Sequence, residues 1–351
     1  MTTTVLTDQV ISKKPRKIHR ALMKEEKPIP SYPPYKFYKW EFKTPVQWFN
    51  VFVLSAWHLL AVLAAFYIDS WTKPKVLLFY VILATLTGLG ITGAAHRYFT
   101  HRSYKARLPL KIFLLFCFSI AGQNSLVEWV RDHRTHHKFS ETDADPHNAK
   151  RGFFFSHVGW LMMKKHPDVI RKGRTVDISD LLDDPIIVFY QKYFNWFKIP
   201  LCFVIPTLVA HFYFDESWFN AIAGVCFVKY IISLNSTWCV NSAAHLFGNK
   251  PYDKKIYPSE NLLVSLIAMG EGYHNYHHTF PWDYRTAEFG KMLNATALWI
   301  DFFEKIGLAY DLKSPSEELV RKVVENQGDG SHYKWGHEVP YDANENKKFV
   351  N

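Results

Sequence analysis

Four apolar runs set the first limit on what this chain of 351 residues can fold into. They cover residues 48–68, 76–95, 196–214 and 218–240. A bilayer core is crossed by about 20 predominantly apolar residues, and in lipid such a segment must be helical because it has to satisfy its own backbone groups. The pattern therefore predicts an all-α membrane protein with four transmembrane helices, two in residues 46–95 and two in residues 196–240.

Histidines recur in three clusters at the ends of these runs and beyond them. The spacing H-x-x-H-H appears twice, a further pair lies in A-H-R-Y-F-T-H, and the eight members are His96, His101, His133, His136, His137, His274, His277 and His278. On a helix, residues at i, i+3 and i+4 share one face. Imidazole is the commonest metal ligand among side chains, so two such triplets beside a pair favour a shared metal site over solvated surface histidines.

The number and type of these ligands indicate the kind of centre. Eight imidazoles exceed what one four- to six-coordinate ion uses, so we expect two metal ions. Zinc fits the ligand type, and redox iron acting with dioxygen fits it at least as well. On an ideal helix, the gap between His96 and His101 separates the two by roughly 140°. They would then serve different metals, or His101 lies past the end of the helix.

The order of the segments brings the clusters to one side of the membrane. Residues 109–121 are apolar but short, so we expect an interfacial helix there. The two crossings in 196–240 return the chain to the side that it left, where the third cluster meets the first two. The predicted regions are a flexible basic arm at 1–45, a region at 96–195 with two clusters, a region at 241–315 with the third, and a C-terminal tail at 316–351. Within this tail, the segment Q-G-D-G-S-H is expected to be loosely ordered.

Charge indicates the orientation and the kind of partner. The formal net charge is +10, and basic residues concentrate in the N-terminal arm and the polar regions. By the positive-inside rule, both termini and the histidine clusters are predicted to lie in the cytosol. An anionic partner or surface is implied. Apolar spans, without a basic helix interleaved with stacking aromatics, argue against nucleic acid.

Three segments resemble the histidine boxes of the membrane acyl-CoA desaturase family, which includes stearoyl-CoA desaturases and insect acyl-CoA desaturases. They are H-R-Y-F-T-H, H-R-T-H-H-K-F and H-N-Y-H-H-T-F-P, accompanied by A-D-P-H-N, R-G-F-F-F-S-H-V-G-W and N-S-A-A-H-L-F-G. The resemblance implies four spans with a cytosolic helical cap, two iron ions and residence in the endoplasmic reticulum membrane. It also implies His245 as a ninth ligand, which spacing alone would assign to a core or capping role, and Asn241 facing an iron through a water.

The reaction implied by this resemblance removes two hydrogens from a saturated long-chain acyl-CoA, with dioxygen as co-substrate reduced to water. The irons would activate dioxygen, while the protein supplies orientation and a dry cavity. This chain lacks the H-P-G-G haem motif of fused desaturases, so separate cytochrome b5, reduced by its reductase, is the expected electron donor on the basic face. His274 stands where front-end desaturases carry Gln, which argues against that subgroup.

The resemblance also assigns residues to the substrate. The positions that match coenzyme A contacts are Asn50, Arg131, Asp132, Lys164 and Lys165. Those that match the acyl tunnel are Gln123, Trp129 and Trp238, with Tyr80 and Ala84 at its end. Ordinary surface charges, interfacial aromatics and helix packing are the alternative interpretation of these positions.

Three carboxylates lie close enough in sequence to the boxes to hold histidine N–H groups. They are Asp143, Asp145 and Glu271. Such partners fix the orientation of metal-bound imidazoles in many proteins. Helix capping or surface pairing is the alternative for each of the three.

Two other function classes stay open at this level. A membrane di-iron hydroxylase or alkane monooxygenase uses a similar histidine set on similar substrates, and product analysis separates it from a desaturase. A multi-span metal transporter or zinc-binding receptor predicts polar ligands inside the spans, whereas these histidines lie at span ends and beyond. Close relatives differ in double-bond position through a few tunnel residues, so the motifs do not specify regiochemistry.

Overall fold

The computed structural model describes residues 28–33, 35–37, 40–288 and 293–336, and most of them are helical. Four helices in this part of the chain are long and apolar enough to cross a membrane, which confirms the predicted all-α architecture. These helices form two hairpins. The chain between the hairpins and after the second one folds into a helical cap, which holds the histidine clusters.

A short antiparallel ribbon precedes the first hairpin. The elements are β1 Tyr35–Phe37, β2 Trp40–Phe42, α1 Trp48–Tyr67 and α2 Pro74–Thr100, with a 3₁₀ turn at Ser70–Thr72. The arm at 1–45 was expected to be flexible, but from Tyr35 onwards it contains ordered strands. The end of the arm is anchored on the cap, because the Lys164 N–H donates to the Pro45 carbonyl oxygen at 2.9 Å. Residues 1–27 of the arm lie outside the described residues.

Helix α2 is longer than the apolar run that predicts it. The last part of α2, Gly90–Thr100, is a π-helix. It continues past residue 95 and carries His96 to the cap. It packs closely on the next helix, α3 (Leu108–Ala121). A Cβ atom at Gly90 would lie 2.3 Å from the backbone carbon of Cys117, so this approach requires glycine.

Helices α3 and α4 (Leu126–Phe139) meet at an angle of 87°. The turn between them begins at Gly122, which adopts a left-handed conformation with φ of 67°. α3 corresponds to the short helix predicted at 109–121, and its Leu110 and Leu114 are buried while Leu108 and Ile112 are exposed. Its placement in the membrane interface stays a prediction, because the bent pair also has the length and composition of a broken span.

Short helices lead from α4 to the second hairpin. They are α5 Phe153–His157, α6 Pro167–Gly173, α7 Ser179–Leu182 and α8 Pro185–Lys192, with 3₁₀ turns at Ala149–Arg151 and Gly159–Met162. The hairpin consists of α9 Phe194–Phe212 and α10 Trp218–Leu246. Like α2, α10 runs past its predicted end, at residue 240, and therefore carries Asn241 and His245 into the cap.

Small apolar residues pack the two hairpins together, and a polar network joins them at their turn ends. Ala64 of α1 packs with Ala223 and Val228 of α10. Between the turns, the Lys73 Nζ lies 3.1 Å from the buried carboxylate of Glu216. These contacts set the depth at which the helices of the two hairpins meet.

The chain after α10 completes the cap. Its elements are α11 Leu262–Ile267, α12 His274–Thr279, α13 Ala295–Lys305, β4 Ala309–Tyr310 and α14 Glu317–Gln327, and β4 pairs antiparallel with β3 Lys105–Ala106. The segment predicted as a C-terminal tail at 316–351 contains the helix α14, which ends where the Q-G-D-G-S-H stretch begins. Val320 and Val324 share one face of α14 and pack against Tyr276 of α12. Residues 337–351 lie outside the described residues.

Candidate metal centre

Nine histidines converge where α2, α4, α10 and α12 meet. They form two groups, and within each group the candidate ligand atoms lie within 4.8 Å of one another. The first group is His96, His101, His133, His137 and His277, and the second is His136, His245, His274 and His278. The structure thus brings together all nine histidines that the boxes and the family resemblance single out.

His96 and His101 share one group because the end of α2 is π-helical. The His101 N–H donates to the His96 carbonyl oxygen at 3.1 Å, which is the i→i+5 bond of a wide helical turn. The two ring centroids lie 4.8 Å apart. The angle expected on an ideal helix therefore does not apply, and His101, the residue that caps α2, faces the same group as His96.

Each H-x-x-H-H triplet divides between the two groups. On α4, His133 and His137 belong to the first group with their Nε2 atoms 3.2 Å apart, while His136 belongs to the second. On α12 the assignment is reversed: the i and i+4 members join the second group, and His277 joins the first. Residues at i and i+4 lie above one another, so each such pair stays together.

Across the helices, Nε2 atoms approach one another at the spacing of ligands on one ion. The Nε2 atom of His277 lies 2.9 Å from that of His96 and 3.0 Å from that of His137. In the second group, the Nε2 atoms of His245 and His274 are 3.0 Å apart. Metal–nitrogen bonds of about 2.0–2.1 Å place neighbouring ligands roughly 3 Å apart, so these separations fit two nitrogen-ligated ions.

Burial keeps the rings in the form that binds metal. Burial, followed by the neighbouring histidines, lowers the pKa of His101, His274 and His277 well below the ordinary value for histidine. A neutral imidazole offers the lone pair that a metal ion needs. The Nε2 atom of His101 is buried without a hydrogen-bond partner in the described part of the chain. Such an atom fits a ligand position.

Three buried carboxylates orient the rings from the opposite edge. Asp145 accepts a hydrogen from the His136 Nδ1 atom at 2.9 Å and Glu141 from the His245 Nδ1 atom at 2.7 Å. The third carboxylate, Glu271, lies 2.8 Å from the His96 Nδ1 atom. Because Nδ1 carries the hydrogen, Nε2 is left to bind the metal. Burial alone would raise the pKa of Asp145, but the adjacent His136 holds it below its ordinary range.

Asp143 does not take the role considered for it. Its carboxylate is partly exposed and forms an ion pair with Lys43 at 2.6 Å, so Asp143 takes the alternative role of surface pairing. Glu141 takes such a role for His245 and was not singled out in the sequence. The two partners are 104 positions apart, so no local spacing pointed to the pair.

Two cavities meet beside the histidine groups. The larger, of about 470 Å³, extends between α2 and α10 from Tyr80 and Ala84 to His96. The smaller, of about 280 Å³, has Asn50 on its wall. Both cavities are lined by Trp129, His133, Thr237 and Asn241. This junction therefore places one candidate ligand of the first group, His133, against both cavities.

Seven of the ten substrate positions implied by the family resemblance line these cavities. They are Tyr80 and Ala84 in the larger, Trp129 in both, and Asn50, Gln123, Asp132 and Trp238 in the smaller. In the described part of the chain, Arg131, Lys164 and Lys165 are not among the lining residues. Lys165 instead binds Asp132 at 2.6 Å and Glu128 at 3.1 Å, so it contacts the smaller cavity through Asp132.

A chain of hydrogen bonds holds the junction. The Gln123 side-chain amide donates to the Thr237 hydroxyl at 2.9 Å, and the Trp129 indole N–H donates to the Gln123 carbonyl oxygen at 3.1 Å. Thr237 was not identified from the sequence, where it looks like an ordinary polar residue in an apolar run. Its partner Gln123 lies on the turn between α3 and α4, so the bend of those helices positions the junction.

Comparison with known proteins agrees with this geometry. Residues 71–292 match the family model Fatty acid desaturase. The chain is 51% identical to an acyl-CoA Delta-9 desaturase of Acheta domesticus over 84% of its own length and 82% of that protein's. It is 52% identical to stearoyl-CoA desaturase 5 of Bos taurus (82% and 85% covered) and 48% identical to an acyl-CoA Delta(11) desaturase of Spodoptera littoralis (84% and 87% covered). With this likeness along most of its length, the chain belongs to the fatty acid desaturase family.

Proposed function

We propose that this protein is a membrane acyl-CoA desaturase that inserts a double bond into a saturated long-chain acyl-CoA. The observation that carries the proposal is the position of the histidine groups at the junction of two cavities. An acyl chain that occupies both cavities presents its central methylenes to the metal site. The relatives named acyl-CoA and stearoyl-CoA desaturases support this substrate class.

Two iron ions are the proposed cofactor. The five histidines of the first group would hold one and the four of the second the other, with Asn241 approaching an iron through a water. Bound iron would supply the activation of dioxygen that removal of two hydrogens from an alkyl chain requires. The residues Glu271, Asp145 and Glu141 fix the ring orientations, and the buried Trp238 keeps water away from the chain.

Coenzyme A is proposed to lie at the mouth of the smaller cavity. Asn50 lines this cavity and donates to the Leu161 carbonyl oxygen at 2.8 Å, which ties α1 to the cap there. Arg131 and the exposed Lys164 supply charge for the phosphate groups. Lys165, through its ion pairs with Asp132 and Glu128, positions the wall of the cavity as well as adding charge.

The length of the acyl tail is proposed to be limited at the far end of the larger cavity. Tyr80 and Ala84 lie one turn apart on α2 and line it there. The bulky Tyr80 closes the space, and the small Ala84 leaves room for the last methylenes. Packing of α2 against its neighbours is the alternative role for both residues.

The cap is proposed to face the cytosol from the endoplasmic reticulum membrane. Basic residues are concentrated in the N-terminal arm and in the polar regions that form the cap, and such regions are retained on the cytosolic side. The substrate would then be drawn from the cytosol. Cytochrome b5 would deliver the two electrons, one at a time.

Expression in a yeast strain that lacks its own desaturase tests the proposed function. We expect growth without added unsaturated fatty acids, and a new unsaturated acyl chain whose double bond is located by mass spectrometry of derivatised lipids. The analysis also decides regiochemistry, since relatives of similar identity carry both Delta-9 and Delta(11) names. A His277→Ala variant at equal membrane level is the matched control. Hydroxylated products would identify a hydroxylase instead, and absence of any product from iron-loaded protein would overturn the proposal.

A further inference from the structure

A groove of about 440 Å³ on the cap reaches the first histidine group. The residue through which it does so differs from those that line the two substrate cavities. His101 lines this groove, together with side chains from α4, the segment after α6 and the segment after α12. The cavities contact the same group through His96 and His133. The first group is therefore accessible along two separate routes.

His101 connects the groove to the whole of the first group. Its ring centroid lies 4.5 Å from that of His137, 4.7 Å from His277, 4.8 Å from His96 and 5.3 Å from His133. No further side chain is needed between a molecule in the groove and these rings, because His101 touches both. The ring is thus a direct link from the cap surface to the group.

The groove is basic and has an exposed aromatic ring. Of its lining residues in the described part of the chain, Arg102, Arg134 and Lys138 are basic and Asp177 is acidic. Arg102 and Arg134 both pair with the Asp180 carboxylate, so the exposed Lys138 is the lining residue whose charge is offered to a partner. Trp282 is 41% exposed, and Lys138, which also lines the groove, is exposed as well. A positive surface with an aromatic side chain is typical of a site that receives an acidic protein partner.

Arg134 also holds the floor of the groove in place. Its guanidinium donates to the carbonyl oxygens of Phe99 at 2.6 Å and Thr100 at 3.1 Å, the last residues of α2. The same group binds the Asp180 carboxylate through two hydrogen bonds of 2.9 Å. The backbone immediately before His101 is therefore fixed, so the ring keeps its position between groove and metal group.

We propose that this groove is the docking site of an acidic one-electron carrier protein, and that electrons enter the metal group through His101. The inference rests on the proposed function, because the proposed reaction needs two electrons from an external carrier. Dioxygen takes up four electrons and four protons to form two waters, and the substrate's two C–H bonds supply two of each as the double bond forms. The carrier supplies the other two electrons, and solvent supplies two protons. Since substrate fills the cavities, the carrier requires the separate route.

The character of the groove suits repeated short encounters. Each turnover needs two deliveries, so the carrier must leave and return. Charge complementarity accelerates association without requiring a tight complex, and redox encounters use small interfaces. An open groove with basic side chains meets this requirement.

The test uses full-length, iron-loaded enzyme with Lys138→Glu, and the soluble haem domain of cytochrome b5 as the probe. We expect KM for the probe to rise about tenfold at low ionic strength, with a smaller rise as salt is added. Lys138→Gln should give an intermediate increase. Surface plasmon resonance on metal-free protein measures binding of the probe independently of activity. The affinity for the probe should fall from the parent protein to Lys138→Gln and further to Lys138→Glu.

Two controls separate docking from the proposed chemistry. Lys255→Glu makes the same charge change at another exposed lysine of the cap and should leave KM for the probe unchanged. Enzyme reduced beforehand with dithionite should yield the same single-turnover product in Lys138→Glu as in the parent protein. If the reduced parent protein itself formed no desaturated product in a single turnover, that result would count against the proposed function. An unchanged KM and affinity for the probe in Lys138→Glu, or an equal loss in Lys255→Glu, would overturn the docking site.

Discussion

His245 on α10 donates from Nδ1 to the carboxylate of Glu141 at 2.7 Å, and this bond fixes a ring of the second histidine group. Glu141 is buried just past the end of α4, with a positive φ of 55°. Burial alone would raise the pKa of Glu141, but the hydrogen bond from His245 holds it below its ordinary value. The acceptor is therefore an ionised carboxylate, which binds an N–H strongly.

Replacing Glu141 by Ala is expected to weaken retention of iron. Partners that orient metal-bound histidines typically contribute about 10- to 100-fold in metal affinity. Glu141→Gln should lose less, because its amide oxygen can still accept from Nδ1. The iron-to-protein ratio after dialysis against a chelator measures the effect. Asp143→Ala is the matched control, since Asp143 lies two residues away and binds Lys43 instead; equal iron loss in the two alanine variants would contradict the assignment of Glu141.

Removing any one histidine of the three boxes is expected to abolish desaturation without preventing membrane insertion, because each loss opens a ligand position. The residues are His96, His101, His133, His136, His137, His274, His277 and His278. Product analysis and protein level in the membrane fraction measure the two effects. His166→Ala should keep activity, since His166 lies outside both groups and caps α6. Two or more box variants with full activity would exclude the di-iron interpretation.

Protein that acquires zinc during overexpression is expected to be inactive. Nitrogen ligands bind zinc more tightly than ferrous iron, so both groups can take up zinc, but zinc has no redox chemistry. Metal analysis combined with single-turnover assays on zinc-loaded and iron-reconstituted samples measures this. Product formation with zinc alone would contradict the redox mechanism.

Reversing Lys164 and Lys165 to Glu together is expected to raise KM for acyl-CoA more than it lowers kcat. A remote phosphate is bound equally in ground and transition states, so its loss appears in KM. Steady-state assays at fixed ionic strength measure the two constants. The matched control reverses Lys254 and Lys255, two adjacent exposed lysines elsewhere on the cap. An unchanged KM in the first variant would assign Lys164 and Lys165 to the membrane surface or to the electron donor.

Substituting Ala84 by Leu is expected to shift preference towards shorter acyl chains. The added carbons fill the end of the larger cavity, and each buried methylene that the substrate can no longer place there is worth about 0.8 kcal/mol. The cavity wall does not yield easily, because Tyr80 already abuts α10: a Cβ at Gly224 would lie 2.2 Å from the Tyr80 hydroxyl oxygen. Competition between acyl-CoA substrates of different length measures the shift.

The position of the double bond, counted from the carboxyl end, should not change in Ala84→Leu, because neither the proposed coenzyme A contacts nor the proposed metal ligands are altered. Ile82→Phe is the control. Ile82 is 49% exposed and does not line the cavity, so this substitution enlarges a side chain of α2 away from the substrate. A displaced double bond with unaltered chain-length preference would place the length limit elsewhere.

Local patterns in the sequence determined the spans and the type of ligand. Apolar length alone locates α1, α2, α9 and α10, because a segment in lipid must satisfy its backbone within its own helix. Spacing alone likewise determines that His133 stays with His137 and His274 with His278, because residues at i and i+4 lie on one face of a helix. These features depend only on neighbours within one or two helical turns.

Only the tertiary structure decided how the ligands are shared between the two groups. His136 joins His245 of α10 and not its own neighbour His137, whose group contains His96 and His101 at the end of α2. His101 joins His96 because α2 ends in wide turns, where it packs on α3, and not as an ideal helix. Neither arrangement follows from the spacing of the residues.

Packing between distant segments also decides which carboxylates reach the histidine rings. Asp143, close to the second box in sequence, points outward to Lys43, whereas Glu141 and Glu271 reach rings 104 and 175 positions away. A buried carboxylate without a partner is costly, so its position is stable only where folding brings an N–H donor to it. Sequence spacing specifies which side chains share a helical face; the contacts between faces, and hence the completed metal groups, arise only when the helices pack.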